Sequence, residues 1–121
     1  MKTIKPLILC CLLLVAFVTS CEKKDEPAPK QSPVVNTTWA HSSGSNTFWL
    51  EFTSNTDYLE YMGDADGNPK STGVHYGTYT YSDSKITFSK PNHMEFDYGT
   101  INGSILTITY TTGKQVTYKK K

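Results

Sequence analysis

The sequence predicts an all-β fold over residues 36–121, a small antiparallel up-and-down meander barrel of about eight short strands. Three observations point there. All eight tyrosines, both tryptophans and most phenylalanines lie in this stretch beside abundant threonine, a composition that suits pleated, half-buried surfaces. No window keeps the three-to-four-residue spacing of an amphipathic helix for long. Short β-rich runs alternate with turn residues at the close spacing of a meander.

Taken in order, the candidate strands are Thr37 to His41, Thr47 to Thr53, Tyr58 to Met62, Val74 to Tyr81, Lys85 to Ser89, Met94 to Ile101, Ser104 to Tyr110 and Gln115 to Lys119. The first carries Trp39 and stops at Ser43-Gly44-Ser45-Asn46. In the second, Phe48, Leu50 and Phe52 alternate with Trp49, Glu51 and Thr53, giving one face to the core and leaving Trp49 on the other. The third stands between Ser54-Asn55-Thr56-Asp57 and the longest loop, Gly63 to Gly73, the kind of segment where binding functions concentrate. Ser82-Asp83-Ser84 separates the fourth and fifth strands, and Lys90-Pro91-Asn92 the fifth and sixth. Asn102-Gly103 is the strongest hairpin signal, because a two-residue type I′ turn needs positive φ at both positions. Thr112-Gly113 joins the last pair.

The repeated tripeptides Tyr76-Gly77-Thr78 and Tyr98-Gly99-Thr100 carry a conflict. With strict alternation, Val74 and Tyr76 face opposite to Tyr79 and Tyr81, and Phe96 and Tyr98 opposite to Ile101. A β-bulge or bend at Gly77 and Gly99 would resolve it. The alternative leaves Tyr76, Phe96 and Tyr98 outside as an aromatic patch.

Ahead of the domain, Lys2 and Lys5 form a basic start, and Leu7 to Val18 is an apolar run. That run suits a signal peptide and is too short to span a membrane, which takes roughly 18 or more apolar residues. Cys10 and Cys11 lie inside it, so cleavage would leave Cys21 alone, with no disulfide framework. Val18-Thr19-Ser20-Cys21 resembles the lipobox of bacterial lipoproteins, where small residues precede a cysteine that is acylated and becomes the new first residue. The resemblance implies a signal peptide over 1–20, lipidation at Cys21 and a domain tethered at a membrane surface; two or more acyl chains hold a protein stably where one is marginal. The rest of 21–35 is charged, then proline-rich, and predicts a flexible linker. Its opening, Glu22-Lys23-Lys24-Asp25-Glu26, resembles the export signals of surface lipoproteins of Bacteroidetes. The implied address is the cell envelope, at the outer membrane, with its periplasmic or extracellular face left open.

Within the domain, the residues Thr37-Thr38-Trp39, Gly77-Thr78-Tyr79-Thr80-Tyr81 with Ile86-Thr87-Phe88, and Gly99-Thr100-Ile101-Asn102-Gly103 with Leu106-Thr107-Ile108 resemble the small lipocalin-like (calycin-type) lipoproteins of Bacteroidetes. The resemblance implies an up-and-down barrel in which Trp39 closes one end from inside.

Catalytic motifs are absent from the sequence: it has no G-x-S-x-G elbow, no phosphate-cradling glycine loop, no H-E-x-x-H pair, and, after the expected cleavage, no cysteine nucleophile besides Cys21. His41, His75 and His93 fall in separate segments, and Glu51, Glu60, Glu95 and Asp97 read as solvated strand positions. Asp64-Ala65-Asp66-Gly67-Asn68 imitates a calcium loop, but the register puts Pro69 where that loop needs glycine; a hairpin tip at Asp66-Gly67 fits better. Neither a metal nor another cofactor is expected. A near-neutral balance, with a formal net charge of +1 and no arginine, argues against nucleic acid.

The sequence therefore points to a non-enzymatic, membrane-anchored binding or interaction module. Trp49, Tyr76, Phe96 and Tyr98 are its candidate contacts for a protein or glycan. The alternative is a carrier of a small apolar ligand. An enclosed pocket of about 300 Å³ or more would favour the carrier, and an interior filled with aromatic side chains the module.

Replacing Cys21 tests the tether. Cys21→Ala is expected to move the protein from the detergent phase to the aqueous phase in phase partitioning, with the domain's unfolding midpoint unchanged. A variant that still partitions like the wild type would show that lipid on Cys21 is not the anchor.

Overall fold

The β-rich runs form eight strands: β1 (Thr37–Ser43), β2 (Asn46–Phe52), β3 (Asp57–Gly63), β4 (Pro69–Ser82), β5 (Lys85–Phe88), β6 (Phe96–Asn102), β7 (Ile105–Tyr110) and β8 (Gln115–Lys120). They come from a computed structural model that describes residues 31–121. The expected signal peptide, Cys21 and the expected linker up to Lys30 lie outside the described residues. Each strand pairs antiparallel with the next, and β8 returns to β1 through Trp39↔Lys120 and Ala40↔Lys119, closing the barrel. Closure removes the unpaired strand edges that an open sheet would leave.

Turn chemistry sets the registers. Asp83 and Ser84 both have positive φ (51° and 64°) between the paired residues Ser82 and Lys85, as a type I′ hairpin requires. The β6–β7 turn differs from the expected one: Asn102 pairs with Ile105, so the connecting residues are Gly103 and Ser104, with positive φ at Gly103 alone. Gly44-Ser45 connects β1 to β2 in the same way. The two-residue shift places Ile101 directly opposite Leu106, where it packs against the core.

Period-2 alternation then fills the barrel. Trp39, Leu50, Phe52, Tyr58, Tyr79, Ile86, Phe88, Phe96, Leu106, Ile108 and Tyr118 share one buried cluster. Its aromatic rings meet edge-on or tilted, as between Phe52 and Tyr79 (4.8 Å) and between Tyr58 and Phe88 (5.1 Å), geometries that ring quadrupoles favour. Val34 belongs to the same cluster at 2 % exposure. It sits in the stretch that composition assigns to the linker, so the folded unit begins before residue 36. Ser32 is held by Asn55 and Asn36 by the Phe52 carbonyl, which draws this segment over one end of the barrel. Trp39 lies inside near that end, on the strand that closes with β8, its indole N–H donating to Thr37 Oγ1 (2.8 Å).

The glycine conflict resolves differently at its two positions. Pairing runs regularly through Gly77, opposite Tyr58, so His75, Gly77 and Tyr79 face inward and Tyr76 outward. No bulge forms there. In β6 one extra residue intervenes between Phe96 and Tyr98, which pair with Tyr110 and Thr109 in turn. The bulge lies ahead of Gly99 rather than at it. It brings Phe96 into phase with Gly99 and Ile101 and leaves Tyr98 outside.

Candidate functional site

The β1–β2, β3–β4 and β7–β8 hairpins and the long β5–β6 loop gather at the barrel end opposite Val34. Between them opens a cleft of about 250 Å³ whose walls include Phe48, Met62, Met94 and Tyr118, with Glu60, His75 and His93. Its floor is the filled aromatic interior.

Alternation along β3 directs Tyr58, Glu60 and Met62 to the inner face, so Glu60 enters the barrel with the core residues. It is 7 % exposed and is the one charged residue among the buried described residues. Burial pushes its carboxyl up from the usual carboxylate range, and the bond from His93 draws it part of the way back. His93 Nδ1–H donates to Glu60 Oε1 at 2.8 Å. The second carboxylate oxygen has no hydrogen-bond partner among the described residues. No buried side-chain oxygen there is left orphaned, so this oxygen reaches the solvent that fills the cleft.

His75 pairs across the strands with Glu60, and its ring lies flat on that of His93, centroids 3.5 Å apart and planes 6° from parallel. This stack closes the side of the barrel where β5 ends at Phe88 while β4 continues. Asn92 braces the loop that supplies His93: its amide donates to the Ser89 and Phe96 carbonyls and its oxygen accepts from the Phe96 N–H. A Lys90–Asp97 ion pair (2.7 Å) spans the loop's base. His41 packs against two of the cleft walls, its ring 6.2 Å from that of Phe48 and 5.5 Å from that of Tyr118, and donates to the Thr117 carbonyl. Stacked imidazoles aim their nitrogens outward in parallel planes. No group of three or more metal-ligating side chains converges among the described residues.

The four candidate contact residues do not form one surface. Phe96, carried inward by the bulge, is 1 % exposed and cannot meet a partner. Trp49 is on the outer face but covered. It stacks on Tyr61 (6.3 Å, 11°), donates to the Asp64 carbonyl (3.0 Å) and lies under Gly67, with Lys121 Nζ 5.9 Å from its ring. Tyr98 is half-buried under Lys85 (4.6 Å). Tyr76 alone is displayed, at 80 % exposure.

The loop expected over Gly63 to Gly73 is shorter than that, because β4 begins at Pro69. Asp64 organises its tip, accepting from the Asp66 and Asn68 backbone N–H groups and from the Asn68 amide. These bonds hold its carboxyl below the usual range and use the oxygens a calcium ion would need. Compared with known protein families, curated proteins and solved structures, the chain matches none.

The buried and half-buried tyrosines give a pH signature. Burial pushes the phenols of Tyr58, Tyr79, Tyr110 and Tyr118 up, and Tyr61, bonded to Glu51, to about 12. An unfolded chain ionises its tyrosines near pH ~10. Above that the unfolded state carries fewer protons than the folded one, so stability is full below about pH 9 and falls as pH rises through the raised values. Urea unfolding midpoints measured from neutral to strongly alkaline pH should show this fall, and Tyr118→Phe should make it shallower. An unchanged slope in the variant would remove Tyr118 from the account.

Proposed function

We propose that the protein is a membrane-anchored, non-catalytic binding module that engages its ligand at the mouth of the barrel. The anchor is the lipid on Cys21, and the linker after it holds the domain at the outer membrane surface. The observation that carries the binding role is the contrast between the two ends. The Val34 end and the middle are filled with aromatic and aliphatic side chains, while the other end keeps a cleft of about 250 Å³ with apolar walls and a few convergent polar groups, the usual composition of a small-molecule site. Its volume is that of about eight liquid waters. That suits a small ligand or the tip of a larger one, and argues against a carrier that encloses its cargo.

The reading predicts where a small apolar probe settles. Titrating the full chain with phenethyl alcohol should shift amide resonances of Phe48, Met62, His75 and Met94 in proton–nitrogen correlation spectra, and leave those of Val74 and Tyr76 on the outer face in place. Shifts centred on the outer face, or none at millimolar probe, would refute a mouth site.

A further inference from the structure

We infer that the mouth cleft selects a small organic cation, a protonated amine on an apolar stem, with Glu60 as its counter-charge. The inference rests on the mouth being the binding site and adds the chemistry of what it takes.

Glu60 gives the site its sign. A carboxylate drawn into an apolar wall gives up much of its hydration, and it recovers that loss only through a charged or strongly donating partner. His93 supplies one such bond, to Oε1. The other oxygen reaches the cleft without a donor among the described residues, although the wall around it is largely apolar. No lysine lines the cleft and the chain has no arginine, so the protein brings no permanent cation to that oxygen. An ammonium group entering the mouth meets it with a charge-assisted hydrogen bond, about twice as strong as a neutral one.

The walls suit the rest of such a ligand. Phe48 and Tyr118 present aromatic rings, whose faces attract cations and whose area covers an apolar stem. Met62 and Met94 are unbranched and polarizable, able to fit around stems of differing shape. A carboxylate ligand would meet Glu60 as a like charge. A neutral ligand would fill the apolar part and leave the free oxygen to water. Selection therefore runs cation first, neutral second, anion last.

The test compares near-isosteric probes on the full chain by isothermal titration calorimetry: phenethylamine as its ammonium form, phenethyl alcohol and phenylacetate. The amine should bind at least about tenfold more tightly than the alcohol, and phenylacetate more weakly than either. Glu60→Gln keeps the shape and removes the charge, and should bring the amine to within about twofold of the alcohol while alcohol binding persists. Equal affinities of amine and alcohol in the wild type, or an amine preference that survives in Glu60→Gln, would overturn the cation inference and leave the mouth site standing. If all three probes fail to bind the wild type, both readings fall. The wild-type comparison decides the matter even if the variant does not fold.

Discussion

The ring of Tyr58 lying against the bare backbone of Gly77 is the contact on which the rest of this barrel depends. The two residues are direct cross-strand partners on β3 and β4, and a Cβ built on Gly77 would lie 2.5 Å from the Tyr58 ring. The missing side chain lets a large phenol lean across β4 and reach Phe88 on β5 and Phe96 on β6. A barrel of eight short strands can be filled by side chains, and here the filling is aromatic. Gly99 on β6 likewise makes room for Leu106 on β7, since a Cβ built there would lie 2.9 Å from the leucine side chain. A domain without disulfides draws its stability from this interlocking, because packed interiors tolerate little change of volume in either direction.

Filling one end and the middle determines what the other end can be. The long strand β4 outruns β5, and the loop after β5 folds back so that His93 rests on His75 and bonds Glu60. A buried carboxylate with one free oxygen seldom adds stability; such groups concentrate at functional sites. Its position in the wall of the mouth cleft unites fold and proposed function. The outer aromatics have another role. Ala40, Trp49, Tyr61 and Val74 stand in register across four strands, and the Asp64 turn folds over Trp49, so most of that ladder secures the β3–β4 hairpin rather than offering a surface.

Much of this was legible in the residues. The eight strands follow from turn residues and β-rich runs, and the inner face of β2 from the alternation of Phe48, Leu50 and Phe52. Glu60, read as a solvated strand position, is buried instead: Tyr58-x-Glu60-x-Met62 puts it on the face of a core tyrosine. Leu59 and Tyr61 make the opposite face equally apolar, however, and alternation by itself could not choose between them. His93 comes from a loop whose course depends on Asn92 bonding residues on both sides, a tertiary arrangement with no period to read. The bulge between Phe96 and Tyr98 reversed the facing of Phe96 in the same unreadable way, and Val34 looked like linker because the segment leading to it is charged and then proline-rich, while its burial comes from the chain crossing the barrel end.

A double-mutant cycle on Gly77 and Tyr58 shows whether the interior is filled through glycine-for-aromatic exchange. Gly77 has no positive φ, so alanine there would stabilise by about 0.4–1 kcal/mol if space were free. The account predicts instead that Gly77→Ala lowers unfolding stability by roughly 1–3 kcal/mol as overpacking, and that most of this loss vanishes in a Tyr58→Leu background. A Gly77→Ala variant as stable as the wild type, or costs that add to within about 0.5 kcal/mol, would contradict it.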